Sequence, residues 1–340
     1  MVKIVEKYFN QEDFSKREKE VLEKVVNQTG FIPHKLIYKG IIFDPDKVGS
    51  IIYKGIYKGK TAILKLQGLF PDTDESDIMQ AFAKQNKSKI IRLPKLYAFK
   101  KWNKKDGFGY VVTEYIDAPK IYEIPFATGK QMQLFCDFYQ EYKTKCLNKP
   151  FTYPDRKNEN ASEFVIRRVR MWKKISDHKK KLQEIISRDL IEKKVNAYIK
   201  FMAENLKGDL VFCHGHLSSK DIFYNGKDFI LLSNLYWGWR PEYYDLIFGL
   251  HWCLEAITDE DFTFEEYLNY VNEWLSRLYE IPVVKKDKQA KKKINLMLLE
   301  RTMGAVLIDT LEKKDDIDVV NNLINLQLKF FDYLINTYES

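Results

Sequence analysis

Residues 212–250 contain several side chains whose types and spacing suggest phosphate chemistry. Asp221 and Asn234 carry the hard oxygen atoms that Mg²⁺ takes as ligands, and His216 can act as a general base near neutral pH. Phosphoryl transfer depends on positioning the reacting groups and neutralising their charge, and carboxylates serve both tasks. These residue types are therefore compatible with phosphoryl transfer, although Asp221 is the one carboxylate among the three.

The residues before this segment predict a small β-rich unit that could position one side of the site. A charged amphipathic helix is predicted at 11–28 and a second helix at 74–87. Five stretches rich in β-branched and aromatic residues predict strands, because turn residues such as Asp106 and Gly107 separate them. The predicted strands are 34–43, 50–58, 61–67, 93–102 and 108–116.

The rest of the chain is predicted to be mainly helical, with two short strands around the segment that suggests phosphate chemistry. The predicted helical stretches are 129–147, 161–175, 190–206 and most of 258–340. Together these patterns predict an α+β protein in which a β-rich part precedes a larger helical part.

Composition limits the classes of protein to which the chain can belong. The chain has 340 residues, and its formal net charge of +8 favours anionic partners in general. The four cysteines lack metal-ligand or disulfide-framework spacing, which is consistent with a reducing cytoplasm. The first twenty residues contain no apolar run of the signal-peptide type. No stretch is long and apolar enough for a membrane span, so a cytoplasmic location is expected.

The segment resembles the aminoglycoside phosphotransferase and choline kinase group, a branch of the protein-kinase-like fold. The resemblance begins with "HGHLSSKDIF" at His214 and continues with "LLSNLYWG" at Leu231 and "YYDLIFGL", which contains Asp245. Earlier in the chain, "AILK" ends at Lys65 and "YVVTEYI" ends at Ile116, in the order that the group has them. The resemblance covers roughly residues 30–250.

This resemblance implies a two-lobed kinase-like fold with a small five-stranded, β-rich N-lobe and a larger, mainly helical C-lobe. The expected parts are a helical extension at 1–30, an N-lobe at 31–118 and a C-lobe at 119–340. It also implies an ATP cofactor that sits between the lobes. The expected cleft lies between Lys65, the hinge and the loop that follows His214.

Individual positions take roles from the resemblance. Lys65 would contact the nucleotide phosphates, and the hinge residues Glu114, Tyr115 and Ile116 would hold the adenine. His214 and Asp245 would have structural roles, with Asp245 bracing the catalytic loop from the next helix.

The sequence departs from the group at the acids that carry the chemistry. His216 stands where the group has its catalytic Asp, and Asp221 stands where it has an Asn that binds metal. The second metal position falls on Asn234 or on Ser233, depending on how the spacing is counted, and neither is a carboxylate. A histidine in place of the Asp cannot supply the anionic field that Mg²⁺ needs, so the residues argue against Mg²⁺ binding.

The surroundings of Lys65 also depart from the group. The loop at 44–50 contains one glycine, so it offers a poor backbone cradle for phosphates. A glutamate partner is expected for Lys65 on the following helix. Glu75 lies early for this role, and Gln80 lies nearer the expected position.

Three functions stay open. The first is a degenerate phosphotransferase, or pseudokinase, that acts by binding nucleotide or another small-molecule ligand, and the missing acids favour it. The second is an active ATP-dependent kinase that phosphorylates a small-molecule hydroxyl through a variant metal site, with His216 as base. The third is a binder of nucleic acid or another anionic surface through a basic helix at 164–181.

Overall fold

The structure, a computed structural model, describes the greater part of the chain. The described residues are 11–40, 50–67, 74–103, 105–146, 159–313 and 316–338. The predicted phosphate loop at 44–50 therefore lies outside the described residues, apart from Ser50.

The N-terminal part is an antiparallel sheet of five strands in the order β1-β2-β3-β6-β5. Its elements are α1 (Gln11–Thr29), β1 (Ile32–Gly40), β2 (Ser50–Tyr57), β3 (Lys60–Gln67), α2 (Glu75–Gln85), β4 (Ile91–Arg92), β5 (Leu96–Asn103) and β6 (Phe108–Glu114). The five predicted strands are all present. The one predicted at 93–102 begins later, at Leu96, since Pro94 has no N–H group to donate to a strand ladder.

Side chains of β3 alternate between the two faces of this sheet. Ala62, Leu64 and Leu66 are buried in the N-terminal core, so Lys65 points to the opposite face. Gly55 of β2 lies against the start of β1. A Cβ at this position would be 2.1 Å from the Ile32 carbonyl oxygen. Backbone thus approaches backbone at this corner, where only glycine fits.

Helix α2 connects the sheet with the C-terminal core. Its N-cap, Asp74, accepts a hydrogen bond from the backbone N–H of Ser76 (2.9 Å) and another from that of Trp102 on β5 (3.0 Å). On the other side, the ring of Phe82 lies 5.6 Å from the ring of Trp237. The helix is therefore fixed against both parts of the molecule, and its first residue, Glu75, has a defined position.

The C-terminal part is mainly helical, with two short antiparallel strand pairs, β7–β10 and β8–β9. Strand β4 adds to the second pair in parallel with β9. The elements are α3 (Gly129–Glu141), α4 (Ala161–Ser176), α5 (Lys180–Ile185), α6 (Arg188–Asn205), β7 (Val211–Cys213), β8 (Ile222–Tyr224), β9 (Phe229–Leu231), β10 (Gly238–Arg240), α7 (Tyr244–Glu255), α8 (Phe264–Leu278), α9 (Pro282–Lys285), α10 (Ala290–Gly304), α11 (Thr310–Lys313) and α12 (Ile317–Thr337).

The helical stretches predicted at 129–147, 161–175 and 190–206 correspond to α3, α4 and α6. Helix α3 widens into a π-type turn at Tyr142–Cys146, and another such turn, Ala305–Asp309, follows α10. The described chain therefore has the predicted α+β composition. No helix within the described ranges is long and apolar enough to cross a membrane.

The predicted basic helix at 164–181 is two helices. Helix α4 ends at Ser176, where the N–H of Asp177 bonds to the carbonyl of Lys173, and α5 begins at Lys180 after a turn. The buried face with Val165, Val169 and Trp172 is as predicted. The break separates the lysines at 179–181 from the basic residues of α4, so the segment does not present one continuous basic face.

Candidate functional site

The loop that follows β7 is held in place by the carboxylate of Asp245, in the first turn of α7. Its Oδ1 accepts a hydrogen bond from the N–H of Gly215 (2.7 Å), and its Oδ2 accepts one from the N–H of His214 (3.0 Å). The hydroxyl of Tyr142 donates to the same Oδ2 (2.7 Å). Asp245 is therefore placed where the resemblance puts the bracing acid, and it fixes the backbone of the loop.

His214 holds the other side of the loop. Its Nε2–H donates to the carbonyl oxygen of Leu232, 2.7 Å away. Burial lowers the pKa of His214 from its usual value, so the neutral imidazole is favoured and can occupy this core position without a counter-charge. His214 thereby connects the loop to the end of β9.

Gly215 lies between the two histidines with a left-handed backbone (φ +77°). A Cβ at this position would lie 2.6 Å from the carbonyl oxygen of Tyr236. Both the conformation and the close approach require glycine, so the turn that presents His216 depends on this residue.

Asp221 is the buried acid of the site, with 2% of its surface exposed. Its Oδ2 accepts hydrogen bonds from His216 Nδ1 (2.9 Å) and from the backbone N–H (3.1 Å) and hydroxyl of Ser218. Its Oδ1 accepts one from the hydroxyl of Ser233. Burial alone would raise the pKa of this carboxyl. The His216 imidazole and the hydrogen bonds outweigh burial and lower the pKa to about 2. Asp221 is therefore ionised at neutral pH.

The ring of His216 is packed on aromatic residues. It stacks on Tyr236 with 4.2 Å between ring centroids and lies 4.6 Å from the ring of Phe248. Its side chain is 24% exposed, so one edge of the imidazole reaches solvent. Since Nδ1 faces Asp221, Nε2 is the nitrogen available to a ligand.

Ser233, and not Asn234, is the residue beside Asp221. Ser233 adopts a left-handed conformation (φ 57°), and its hydroxyl donates to the Asp221 carboxylate. Asn234 is buried, and its Oδ1 faces the indole Nε1 of Trp237 at 3.4 Å. Of the two positions that spacing allowed for a second metal ligand, the one at the site therefore holds a hydroxyl.

The carboxylate of Asp221, which would be the acidic ligand of a metal at this site, is already engaged by protein donors. Both carboxylate oxygens of Asp221 already accept hydrogen bonds from protein donors, and its neighbours are an imidazole and hydroxyls. Within the described residues, no three His, Cys, Asp or Glu side chains are grouped as a metal site. Mg²⁺ at nucleotide sites is usually held by one or two carboxylates together with substrate phosphates and water, and here Asp221 would offer one carboxylate whose oxygens are shared with protein donors.

Lys65 is paired with Glu75. Its Nζ lies 2.8 Å from Glu75 Oε2, and both side chains are largely buried. Gln80, which the sequence placed nearer the expected position, instead donates from its amide to the carbonyl oxygen of Ser76 (3.1 Å). Gln80 is one turn further along α2, where its side chain folds back onto the helix. The ion pair thus connects β3 with the first residue of α2.

The predicted hinge begins at Glu114, the last residue of β6, and continues with Tyr115 and Ile116. The Glu114 carboxylate accepts two hydrogen bonds from Arg92 (2.7 and 3.1 Å) and one from the N–H of Lys95 (3.1 Å). Burial raises the pKa of Glu114, but the bonds to Arg92 and Lys95 outweigh it and leave the pKa below its usual value. The Lys54 ammonium lies 3.7 Å from the ring centroid of Tyr115. Glu114 is therefore engaged with the protein, and Ile116, partly exposed, follows these two residues.

Sequence reasoning missed two features of the site. Ser218 bonds Asp221 through both its N–H and its hydroxyl, although a serine in a polar loop gives no distinctive signal. Arg168, Arg240 and Arg301 lie around the ring of Tyr244, next to the loop. They come from α4, β10 and α10, and no spacing in the sequence relates them.

The fold is that of known phosphotransferases. A choline kinase from Cryptosporidium parvum Iowa II is 13% identical, with 94% of this chain and 96% of that chain covered and a TM-score of 0.54. An amicoumacin kinase in complex with AMP-PNP and Ca²⁺ is 15% identical, with 95% and 96% covered and a TM-score of 0.53. A spectinomycin phosphotransferase in complex with ADP and spectinomycin is 13% identical, with 92% and 98% covered and a TM-score of 0.53.

Comparison with protein-family profiles and with curated protein sequences finds no match. The structural likeness extends over nearly the whole of each chain, so this protein has the two-lobed protein-kinase-like fold. The predicted fold class is confirmed. At these levels of identity the likeness concerns the fold, and function has to be argued from the site itself.

Proposed function

We propose that this protein is a catalytically degenerate phosphotransferase that binds nucleotide in its kinase-like cleft without depending on Mg²⁺. The observation that carries the proposal is the state of Asp221, whose two oxygens accept hydrogen bonds from His216, Ser218 and Ser233. A metal would compete with these donors for the Asp221 oxygens, and the described residues place no cluster of three His, Cys, Asp or Glu side chains around it. The structural neighbours are phosphotransferases, which supports the proposal that this site derives from a phosphotransferase site.

Nucleotide binding is supported by the sheet face that carries Lys65. In the register of β2 and β3, Ile52 lies opposite Lys65, and Lys54 lies opposite Ile63. Directly opposite residues share a face of an antiparallel pair, so two apolar side chains accompany two lysines on this face. The isoleucines suit an adenine ring, and Lys65, held by Glu75, would contact the phosphates of ATP.

A second function is favoured by one observation, the His216–Asp221 pair. Asp221 accepts the Nδ1–H hydrogen bond at 2.9 Å, which fixes the imidazole and leaves Nε2 as the basic atom. Such a pair could take the proton of an attacking alcohol as general base. In this alternative the protein is an active small-molecule kinase, and bound ATP supplies the phosphoryl group.

The third function, binding of nucleic acid through residues 164–181, gains less support. In α4, Arg167 pairs with Glu159 (2.7 Å), Lys173 with Asp177 (2.7 Å), and Arg168 with Glu300 (2.8 Å). Much of the positive charge on this helix is therefore already neutralised within the chain.

The test restores the acids that the fold's relatives would use. In His216→Asp with Ser233→Asp, two further carboxylates stand beside Asp221, because both positions contact it. Aspartate tolerates the left-handed conformation at 233. We expect this double variant to gain Mg²⁺-dependent ATP binding and slow phosphate release. The matched control is His216→Asp with Asn234→Asp, which places the new carboxylate toward Trp237.

Thermal-shift titrations of ATP with Mg²⁺ and with EDTA measure the gain, and a phosphate-release assay measures turnover. The proposal is contradicted if the wild type already turns over ATP in a Mg²⁺-dependent way. It is also contradicted if both double variants fold and behave alike, because the position of the carboxylate would then not matter.

A further inference from the structure

The face of the N-terminal sheet that carries Lys65 also carries two further lysines. In the register of β1 and β2, Lys35 lies directly opposite Lys54, and in the register of β2 and β3, Lys54 lies opposite Ile63. Directly opposite residues share a face, and Ile63 is two residues from Lys65 in the same strand. The three lysines therefore lie on one face of the sheet, and we call Lys35, Lys54 and Lys65 the lysine row.

The lysine row has more positive charge than its acidic partner can balance. Lys65 is paired with Glu75 at 2.8 Å. In the part of the chain that the structure describes, neither Lys35 nor Lys54 is paired with a carboxylate, and the ammonium of Lys54 lies over the ring of Tyr115 instead. Like charges directly opposite each other destabilise a strand pair. The pair of opposed lysines is thus unfavourable in the free protein, and a bound anion would relieve it.

This face of the sheet is open to solvent. Lys35 is exposed, and Tyr38, which lies opposite Ile52 on the same face, has 45% of its surface exposed. Lys54 is half-buried, and 15% of the Lys65 side chain is exposed. A ligand can therefore approach every member of the row from solvent.

The three ammonium groups can converge on one ligand. Lys54 and Lys65 are diagonal neighbours of an antiparallel pair, and such neighbours lie about 7–8 Å apart, within reach of long side chains. The contact of Lys54 with Tyr115 is a cation–π contact at a partly exposed site, which is weaker than an ionic hydrogen bond to a phosphate oxygen. Lys54 should therefore leave Tyr115 for a phosphate, and its departure uncovers the face of that ring.

We propose that the lysine row binds a metal-free polyphosphate chain, that of the nucleotide in the proposed function. Three lysines and one paired carboxylate leave a surplus of two positive charges, which is the charge of one Mg²⁺ ion. Lys35 and Lys54 thus supply the charge that a divalent cation would otherwise bring to the phosphates. The inference rests on the proposed function, because the row includes Lys65. It adds the residues that hold the phosphates and a preference for triphosphates over monophosphates.

The test is isothermal titration of the full chain in EDTA with AMP, ADP, ATP and inorganic tripolyphosphate. We expect the affinity to rise about tenfold or more from AMP to ATP, the order expected for added hydrogen bonds between charged groups. Tripolyphosphate should bind without a nucleoside. The affinity for ATP should fall with added salt, because salt screens charges that are exposed to solvent.

Variants assign the binding to the row. Lys35→Met and Lys54→Met nearly keep the side-chain length and remove the charge, and each should lower the affinity for ATP and tripolyphosphate about fivefold or more. Each should leave the melting temperature of the free protein unchanged or raise it, because one of two opposed like charges is gone. The matched control is Lys60→Met, which should bind like the wild type, because Lys60 is an exposed lysine of β3 on the other face of the sheet from Lys65.

The inference is overturned if AMP and ATP bind with equal affinity in EDTA, or if Lys35→Met and Lys54→Met both keep the wild-type affinities. Tripolyphosphate separates this result from the proposed function. Binding of tripolyphosphate that depends on the row, without binding of any nucleotide, supports the polyphosphate site and refutes the nucleotide site. Binding of ATP that is independent of Lys35 and Lys54, without binding of tripolyphosphate, refutes only the inference. Absence of binding by every probe at millimolar concentration refutes both.

Discussion

Replacing Asp245 should destabilise the protein whether or not it is an enzyme. Its two oxygens accept three hydrogen bonds from buried donors, one on Oδ1 from Gly215 and two on Oδ2 from His214 and Tyr142. In Asp245→Asn, the amide oxygen can keep the two donors on one side, and the NH₂ group then faces the N–H of Gly215. One buried donor loses its partner, which costs about 1–3 kcal/mol of the free energy of unfolding.

Asp245→Ala leaves the N–H of Gly215 and the hydroxyl of Tyr142 without their acceptor, whereas the N–H of His214 still donates to the Tyr142 hydroxyl oxygen (2.7 Å). We expect a loss of about 3–5 kcal/mol, as for other broken buried charge networks. The matched control is Asp228→Ala in the turn between β8 and β9. Asp228 is partly exposed, and its carboxylate lies 3.8 Å from Arg92, so its loss should cost less than about 1 kcal/mol.

Urea unfolding followed by circular dichroism measures the three variants against the wild type, and the slope with urea shows whether the transitions are comparable. The reasoning is refuted if Asp245→Asn unfolds with the wild-type free energy, or if Asp245→Ala is no less stable than Asp228→Ala.

Two further predictions concern the cleft. The pKa of Asp221 is about 2 in the folded state, below the value of about 3.9 in an unfolded chain, so the stability it contributes is fully present above about pH 3.9 and is lost as pH falls toward 2. Urea unfolding from pH 6 to pH 2 should show this loss in the wild type and less of it in Asp221→Asn. An equal loss of stability with falling pH in both proteins would contradict the prediction. Lys65→Met should weaken ATP binding and also destabilise the fold, because Glu75 is left buried without its partner. Adding Glu75→Gln should restore the melting temperature but not the ATP affinity. Recovery of both would show that Lys65 does not contact the nucleotide.

Much of the fold was readable from the sequence, because each part carries a local pattern. Strand β3 alternates buried and cleft-facing side chains, and α4 repeats its apolar residues at helical spacing. Asp245 and His214 could be placed because their motif has a fixed order along the chain. The break between α4 and α5 was missed, since the basic residues continue through it without a proline or glycine.

The detail of the site depended on geometry that spacing does not contain. The spacing along the sequence allowed either Ser233 or Asn234 as the second metal position. The left-handed backbone at Ser233 decides which side chain reaches Asp221. In the sequence, Glu75 looked too early on the helix to pair with Lys65. Whether its side chain reaches Lys65 depends on where α2 begins and on how Asp74 fixes the start of α2 to β5. The sequence left Glu75 and Gln80 as alternatives for the partner of Lys65, and the structure has Glu75 in that place.

The three arginines around the ring of Tyr244 had no signal in the sequence. Arg168, Arg240 and Arg301 come from distant elements, and each reads locally as an ordinary basic residue of a helix or strand. Only the tertiary fold brings them to the ring of Tyr244 and shows that Arg240 lacks a carboxylate among the described residues.

We propose that the cleft holds nucleotide without a metal, because Asp221 is already engaged by His216, Ser218 and Ser233. The dissociation constant of ATP for the wild-type protein, determined by isothermal titration with Mg²⁺ and again with EDTA, tests this proposal. We expect measurable binding with nearly equal constants in the two conditions. Binding that appears only with Mg²⁺, and that Asp221→Ala abolishes, would contradict it and would support the active kinase with His216 as its base.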